Sequence, residues 1–288
     1  MQQSKNIYDV IVIGGGASGM MAAGRAGERG KRVLFLEKNK NLGEKLKITG
    51  GGRCNITNAE ENEHIFLSHY GNKKQFLYSP FSQFGVKNTF SFFEEKGLPL
   101  VIQARKRVFP KTEKAIDVFK VLEKYVKKGN VEICANTKVS RIIGENGHIK
   151  KVIASGKEFF ASSYILATGG LSHPETGSTG DGFLWLKELG HTIKNPTPTI
   201  VPLAVNDAWV KKLAGVTLSF MKITFFVNNK KKLSLKGKIL FTHFGLSGPL
   251  ILNSALKVSD MLHEGAVNAF IDAYPDTDLG SLDKKIIK

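Results

Sequence analysis

The stretch from Ile7 to Gly19, IYDVIVIGGGASG, leaves the chain few choices of fold. Its first seven residues are mostly β-branched and apolar, with almost no polar interruption. That is the pattern of a central parallel strand buried on both faces. Three glycines follow at once, and Gly14, Gly16 and Gly19 fit the spacing G-x-G-x-x-G. The next segment, ASGMMAAGRAGERG, carries small and apolar residues at helical spacing up to Gly30, and RVLFLE (32–37) reads as a second buried strand ending on an acid. The glycine spacing alone is a weak signal. Placed between a buried strand and a helix, with Glu37 closing the next strand, it specifies a βαβ dinucleotide site. Gly14 permits the tight turn, Gly16 lets the backbone approach a pyrophosphate, and Gly19 allows the helix to pack closely on the strand while helix N–H groups face the phosphates. Glu37 is placed to accept hydrogen bonds from a ribose diol. A carboxylate there repels a 2′-phosphate, so FAD or NAD is expected rather than NADP.

The rest of the chain extends an α/β pattern. After Glu37 comes a polar, Gly-rich segment, KNKNLGEKLKITGGGRCNITN, too long for a simple connection and read as a functional loop. Residues 72–98 are expected to be largely helical, with their Phe and Leu residues packing a core, and a further helix is expected at 113–127, where Ala115, Val118, Phe119, Leu122 and Val126 share a face. From 131 to 168 the pattern turns to strands, with Asn146-Gly147 as a hairpin turn. The last of these strands runs into Gly169-Gly170, a sharp exit like the one after the first strand. Three prolines in NPTPTIVPL (195–203) mark a domain boundary, and a strand-rich region with a hairpin about Asn228-Asn229 follows.

Composition bounds the rest. A chain of 288 residues with 42% hydrophobic and 23% charged residues is an ordinary globular protein, neither tail nor fibre. No stretch is long and apolar enough for a membrane span and no cleavage-site pattern follows the N-terminus, so a cytoplasmic protein is expected. Cys54 and Cys134 are the only cysteines and lack ligand spacing, so neither a metal site nor a disulfide is expected. The net charge of +17 suits a polyanionic partner, although its lysine pairs are scattered as on a solvated surface.

Five blocks, VIGGGASGMMAA, KLKITGGGRCNITN, RKRVFPKTEKA, ILATGGLSHPETGSTGDGFLWLKELGH and ILFTHFGLSGPLIL, make the chain resemble the BaiN/YhiN (RdsA-like) family of flavoproteins, the aminoacetone-oxidase-like FAD-binding enzymes. The resemblance implies FAD at the first nucleotide site and a Rossmann-like FAD-binding domain over 1–195, a parallel sheet with a β-hairpin insertion at 131–162. It also implies a β-rich, barrel-like substrate domain over 196–288. It further implies flavin-mediated hydride transfer to a C=C or C–N bond, with NAD(P)H as a transient electron donor. Two substrate classes follow from it. One is a uridine of ribosomal RNA, reduced to dihydrouridine, which the basic charge suits; the other is a small molecule, a steroid enone or an aminoketone. Family members continue past the point where this sequence stops and return to the Rossmann core, so weak or absent FAD retention is expected of the 288 residues alone. A relic or a partner-dependent half, inactive alone, is the further alternative.

The candidate cofactor contacts are Gly14, Gly15, Gly16, Ala17, Ser18 and Gly19 at the first turn, with Glu37 and Lys38 one strand over. In the second block Gly51 and Gly52, beside Gly50, free the backbone to run against a flat ligand, Arg53 offers a fork of donors, and Asn55 supplies donor and acceptor together. Thr168, Gly169 and Gly170 close the ATGG strand. Asp181 is expected to cap the helix after it, beside Thr179, although the same TGDG string lies near the cofactor in fumarate-reductase-like flavoproteins. Cys54 is a candidate proton donor, with a small packing residue as its plainer reading, and His243 is the second catalytic candidate. His173, Thr242 and Ser247 are candidate substrate contacts, and Arg105, Arg107 and Lys111 form a basic cluster suited to phosphate.

Overall fold

In the computed structural model, residues 7–194, 196–197 and 199–287 are described, and the chain divides into two compact units, 1–194 and 195–288. Asn195 and Pro198, within the proline-rich break, lie outside the described residues.

In the first unit the glycine-rich opening forms the crossover its pattern requires: β1 (Ile7–Ile13), α1 (Ala17–Glu28) and β2 (Val33–Leu36), with β1 and β2 parallel from Val10 opposite Val33 to Ile13 opposite Leu36. Alternate side chains of these strands feed two separate cores. Val12, Val33 and Phe35 pack with Met20 and Ala23 of α1, while Ile11, Ile13, Leu34 and Leu36 pack into a second cluster. Having two apolar faces to fill explains the uninterrupted apolar run.

The segment expected as a loop after β2 instead contains α2 (Glu44–Gly52) and the short strand β3 (Thr57–Asn58). Its glycines and lysines hide a helical turn that Leu42 and Leu46 anchor by burial. The turn breaks at Thr49, Gly50 and Gly51, where ψ is 149° at Thr49 and φ is +59° and +67° at the glycines. Next come α3 (Glu63–Ser68), α4 (Lys74–Gln83) and α5 (Val86–Glu95). The core-packing expectation for this aromatic stripe holds for Phe92 and Phe93 of α5 but fails in α4, which buries no residue and leaves Phe76 83% exposed. Strands β4 (Leu100–Gln103) and β5 (Arg107–Pro110) join β3 in a small antiparallel sheet of order β3-β5-β4.

Helix α6 (Ala115–Lys128) buries Ala115, Val118, Leu122, Tyr125 and Val126, and packs on α1 where Gly24 leaves room for the Tyr125 ring. β6 (Val131–Cys134) then runs parallel to β2. This corrects the expected insertion at 131–162: residues 131–134 belong to the parallel sheet. The inserted meander is β7 (Val139–Glu145), β8 (His148–Ala154) and the start of β9 (Lys157–Leu166). β9 serves twice, pairing antiparallel with β8 and parallel with β1, which gives the sheet order β6-β2-β1-β9-β8-β7. Helix α7 (Asp181–Glu188) follows.

The second unit is a curled antiparallel sheet. Its elements are β10 (Leu203–Ala204), α8 (Ala208–Lys212), β11 (Thr217–Val227), β12 (Lys230–Thr242), β13 (Gly245–Ser247), α9 (Pro249–Leu262), β14 (Val267–Asp272) and α10 (Leu279–Ile286), with strand order β10-β13-β12-β11-β14. Asn228 and Asn229 form the two-residue turn between β11 and β12 with φ of +49° and +62°, the left-handed pair that matches strand twist. Ile223, Phe225, Ile239, Phe241 and Ile251 fill its core. Among the described residues no helix is long and apolar enough to cross a membrane.

Candidate functional site

The C-terminal ends of β1, β2 and β9 meet at a cleft of about 520 Å³ within the first unit. Its floor is the glycine turn. Gly14 donates to the Leu36 carbonyl at 2.9 Å, and Ala167 donates to the Ile13 carbonyl at 2.8 Å, so the three strand ends are stitched together. Gly14 has φ +105°, and a Cβ there would sit 2.6 Å from the Ala167 oxygen. A Cβ on Gly19 would sit 1.8 Å from the Gly14 oxygen. At Gly16, by contrast, φ is an ordinary −75° and a Cβ would meet nothing within 4 Å. Helix α1 starts at this open position without a side-chain cap. Its first-turn N–H groups have no carbonyl a turn earlier to bond, and Ala17 and Ser18 line the cleft.

Glu37 is 7% exposed and faces the same cleft. One carboxylate oxygen accepts from the Gly15 amide at 2.5 Å and the other from the Asn39 amide at 2.7 Å. Each oxygen keeps a second acceptor site, so Glu37 can fix the glycine turn and still take a hydroxyl from a ligand.

Three bridges tie the segment after β2 to the loop before α7 and to the first residue of that helix. Lys38 donates to Asp181 at 2.8 Å and to Thr179 at 2.6 Å; Asn39 donates to the Thr176 carbonyl at 3.0 Å; Lys45 donates to the Ser172 carbonyl and the Ser178 hydroxyl, both at 2.5 Å. The capping expectation for Asp181 is corrected here. Gly180, with φ +81°, occupies the N-cap, and Asp181 is the first helical residue, spending its carboxylate on Lys38. The hydrogen bond from Lys38 holds the Asp181 carboxyl below the ordinary aspartate range. Burial pushes the Lys45 ammonium down, with Glu175 opposing the shift.

A consequence for stability follows from the sign of the Asp181 shift. A carboxyl depressed in the folded state stabilises above its unfolded pKa and loses that contribution as pH falls through the depressed value. Both partners are about a quarter exposed (25% and 26%). Asp181→Asn is therefore expected to cost about 1 kcal/mol at pH 7. The gap between variant and unsubstituted chain should close as pH drops below the ordinary aspartate value, and denaturant melts across pH check it. A gap of constant size at all pH values would assign the loss to packing.

The cleft brings together Gly14, Gly15, Gly16, Ala17, Ser18, Glu37, Lys38, Thr168, Gly169 and Asp181, with Gly19 packed beneath the turn. Gly51, Gly52, Arg53, Asn55 and Gly170 lie outside its lining. Gly51 and Gly52 are exposed. Arg53 lies over the Phe109 ring, 4.6 Å from its centroid, with Glu113 at 3.5 Å. Asn55, in the amide orientation that satisfies its neighbours, donates to the Val108 and Thr57 carbonyls. Cys54 is buried at φ +60°, and burial raises its thiol pKa. His243 belongs to the second unit, exposed and edge-on to Phe244. His173 is exposed on the loop before α7 with its ring nitrogen 2.7 Å from Glu175. In the second unit the Thr242 hydroxyl serves its own turn through Gly245, and Ser247 ends β13.

Sequence reasoning missed Asn39, Lys45, Thr137 and Ser178, all of which line the cleft. Only Ser178 carried a visible signal, within the GSTGDG string. Lys45 is one lysine of four between Lys38 and Lys47, and its neighbours across the cleft are more than 120 residues away.

A family model described as HI0933-like protein Rossmann domain matches residues 8–260. The 3-dehydro-bile acid delta(4,6)-reductase of Clostridium scindens is 28% identical over 277 residues, which take in 95% of this chain and 66% of that protein. The ribosomal RNA dihydrouridine synthase of Escherichia coli is 27% identical over 273 residues, 94% of this chain and 65% of that protein. The chain thus spans about two thirds of the length of these relatives. Among solved structures, E. coli quinol fumarate reductase superposes with a TM-score of 0.55 over 76% of this chain and 44% of the other, at 14% identity, a likeness of fold. With its matched span covering most of the sequence, the chain belongs to the HI0933-like Rossmann-domain family, a family of FAD-dependent oxidoreductases.

Proposed function

We propose that the first unit is the FAD-binding part of an oxidoreductase that delivers hydride to a C=C or C–N bond, acting on a uridine of ribosomal RNA. The observation that carries the cofactor assignment is the glycine cradle at α1. The helix opens uncapped at Gly16, where a side chain would enter empty cleft space, and Glu37 stands one strand over. This donor set fits the ADP half of FAD. The first-turn amides of α1 would hold the diphosphate, Glu37 would accept from the ribose diol, Lys45 would supply positive charge at the rim, and Lys38, balanced by Asp181, would offer its remaining N–H as a donor. When bound, FAD supplies the hydride chemistry.

The chain's own residues bind, orient and manage protons. Gly51, Gly52, Arg53 and Asn55, which follow directly from the cleft residue Thr49, and Gly170, which follows Gly169, are assigned to the flavin half. Cys54, kept as a thiol by burial, and His243 are the two proton sources this reading offers. The second unit is assigned to the substrate, NAD(P)H to the role of electron donor, and the cytoplasm as the setting. Unpaired Cys54 and Cys134 suit that compartment.

The RNA assignment draws on the charge of +17 and on the E. coli relative. The clostridial relative favours a second reading, a small-molecule enone. The decisive experiment adds FAD to the purified chain and follows quenching of flavin fluorescence. Quenching that saturates at one FAD per chain only at high FAD concentration is expected, and no quenching even at millimolar FAD would sink the cofactor assignment. Anaerobic turnover with NAD(P)H then separates the substrates. A two-dalton gain in an rRNA fragment supports RNA, and loss of an enone chromophore without that gain supports the second reading.

A further inference from the structure

The basic cluster at Arg105, Arg107 and Lys111 takes no part in the cleft. It lies on the β3-β5-β4 sheet, where the nine residues after Ala104 carry Arg105, Lys106, Arg107 and Lys111 against the single acid Glu113, and Lys114 follows. Two features separate this face from charge spread over a solvated surface. The guanidiniums of Arg53 and Arg107 both lie against the Phe109 ring, 4.6 and 5.8 Å from its centroid, while the ring itself is 2% exposed. Two like charges are thus fixed on one aromatic platform, with Glu113 as the one nearby carboxylate, and Glu113 also accepts from Gln103. The tip of the β4–β5 hairpin is built from two consecutive non-glycine residues in the left-handed region, Arg105 at φ +62° and Lys106 at +57°. That conformation is costly for such side chains and is held by Asn58 donating to the Arg105 carbonyl and by Ala59 donating to the Lys106 carbonyl.

Pairing leaves most of this charge available. Lys106 reaches Glu60 at 2.6 Å, and Arg107 donates through Nε to the Ala104 carbonyl at 3.1 Å. Among the described residues no carboxylate pairs with Arg105, Arg107, Lys111 or Lys114. Alternation along β5 places Arg107 and Phe109 on one face, and exposed Lys111 follows the strand directly, its amide donating to the Pro99 carbonyl at 2.8 Å as the chain turns.

We infer that this face docks the phosphodiester backbone of the RNA substrate, with Arg105, Arg107 and Lys111 as its phosphate contacts. Contact with the Phe109 ring holds the Arg107 guanidinium in place, with Arg53 beside it, and a fixed donor fork is what bidentate phosphate recognition requires. The tip sequence, QARKR, has no apolar side chain larger than alanine, and exposed Ile102 beside it on β4 is a lone apolar side chain rather than an apolar face, so nucleic acid is favoured over a membrane. The inference rests on the RNA reading of the substrate and adds to it a second contact outside the cofactor cleft.

The test is fluorescence anisotropy of a labelled 30-nucleotide single-stranded RNA titrated with the full chain between 50 and 250 mM KCl. R105E/R107E/K111E is compared with K31E/K124E/K128E, an equal charge change on exposed lysines of the same unit away from the cleft. Arg53 is left intact because it adjoins the triple glycine of the cofactor assignment. The first variant is expected to lose at least tenfold in affinity, with the salt slope shallower by about 2 for three lost contacts. The second should stay within about threefold. Equal losses in both variants, no loss in either, or no RNA binding by the unsubstituted chain overturns the inference. So does a face variant that keeps RNA affinity but no longer binds phosphatidylglycerol vesicles. The milder R105Q/K111Q, expected to lose about threefold or more, and thermal melts guard against misfolding. An FAD titration of each variant keeps the two readings apart: RNA binding with no FAD binding sinks the cofactor assignment alone, and the reverse sinks the docking face alone.

Discussion

Gly16→Val is expected to abolish FAD binding at concentrations that saturate the unsubstituted chain, while leaving the thermal midpoint within about two degrees. The backbone at Gly16 has a φ that any residue adopts, and no atom lies within 4 Å of the added Cβ, so the fold has nothing to resist. The ligand does. A branched side chain at the mouth of α1 holds a diphosphate away from the first-turn amides. Losing two hydrogen bonds to a charged group at about 1.5–3 kcal/mol each lowers affinity by more than about 100-fold. Flavin fluorescence and a melting curve on one sample check both halves. A variant that binds FAD normally means that the diphosphate lies elsewhere.

Gly19→Ala, three residues on, should do the opposite. Its Cβ would lie 1.8 Å from the Gly14 carbonyl oxygen, a backbone atom of the turn itself and unable to rotate aside. Either α1 lifts from β1 or the turn deforms, and both disturb the core where Met20 and Ala23 meet Val12 and Phe35. A cost at or above the upper end of ordinary overpacking, about 3 kcal/mol, is expected, with a fall of roughly 6–12 °C in melting temperature. FAD binding then weakens as a result of the structural damage. A Gly19→Ala chain as stable as the original would show that close helix-to-strand packing does not govern this turn. If both results hold, the two glycines divide one motif into a position kept bare for the ligand and a position kept bare for the fold.

The turn itself was legible in the sequence because strand, turn and helix are contiguous, and the spacing of Gly14, Gly16 and Gly19 encodes the geometry locally. The Asn228-Asn229 hairpin and the buried face of α6 were readable for the same reason. What escaped is non-local or masked. The helical turn of α2 hides among lysines and three glycines, and only the burial of Leu42 and Leu46 reveals it. Membership of Val131–Cys134 in the parallel sheet depends on pairing with β2 about 100 residues earlier, which no local pattern records. Phe76 belongs to an apolar stripe that has the right period and, in the described structure, no core beneath it. Asp181 has the spacing of a cap, and its actual partner, Lys38, lies 143 residues away.

The Lys45 bridge carries a thermodynamic consequence for whatever anion enters the cleft. Its ammonium contacts a carbonyl and a hydroxyl, and desolvation outweighs the pull of Glu175, so its proton is held more loosely than in water. An incoming phosphate reverses that balance and tightens the proton, and at alkaline pH the ligand and a hydrogen ion must arrive together. Cofactor affinity should then decline on the alkaline side. Calorimetric binding heats measured there should change with the ionisation enthalpy of the buffer, and should lose that dependence in Lys45→Met.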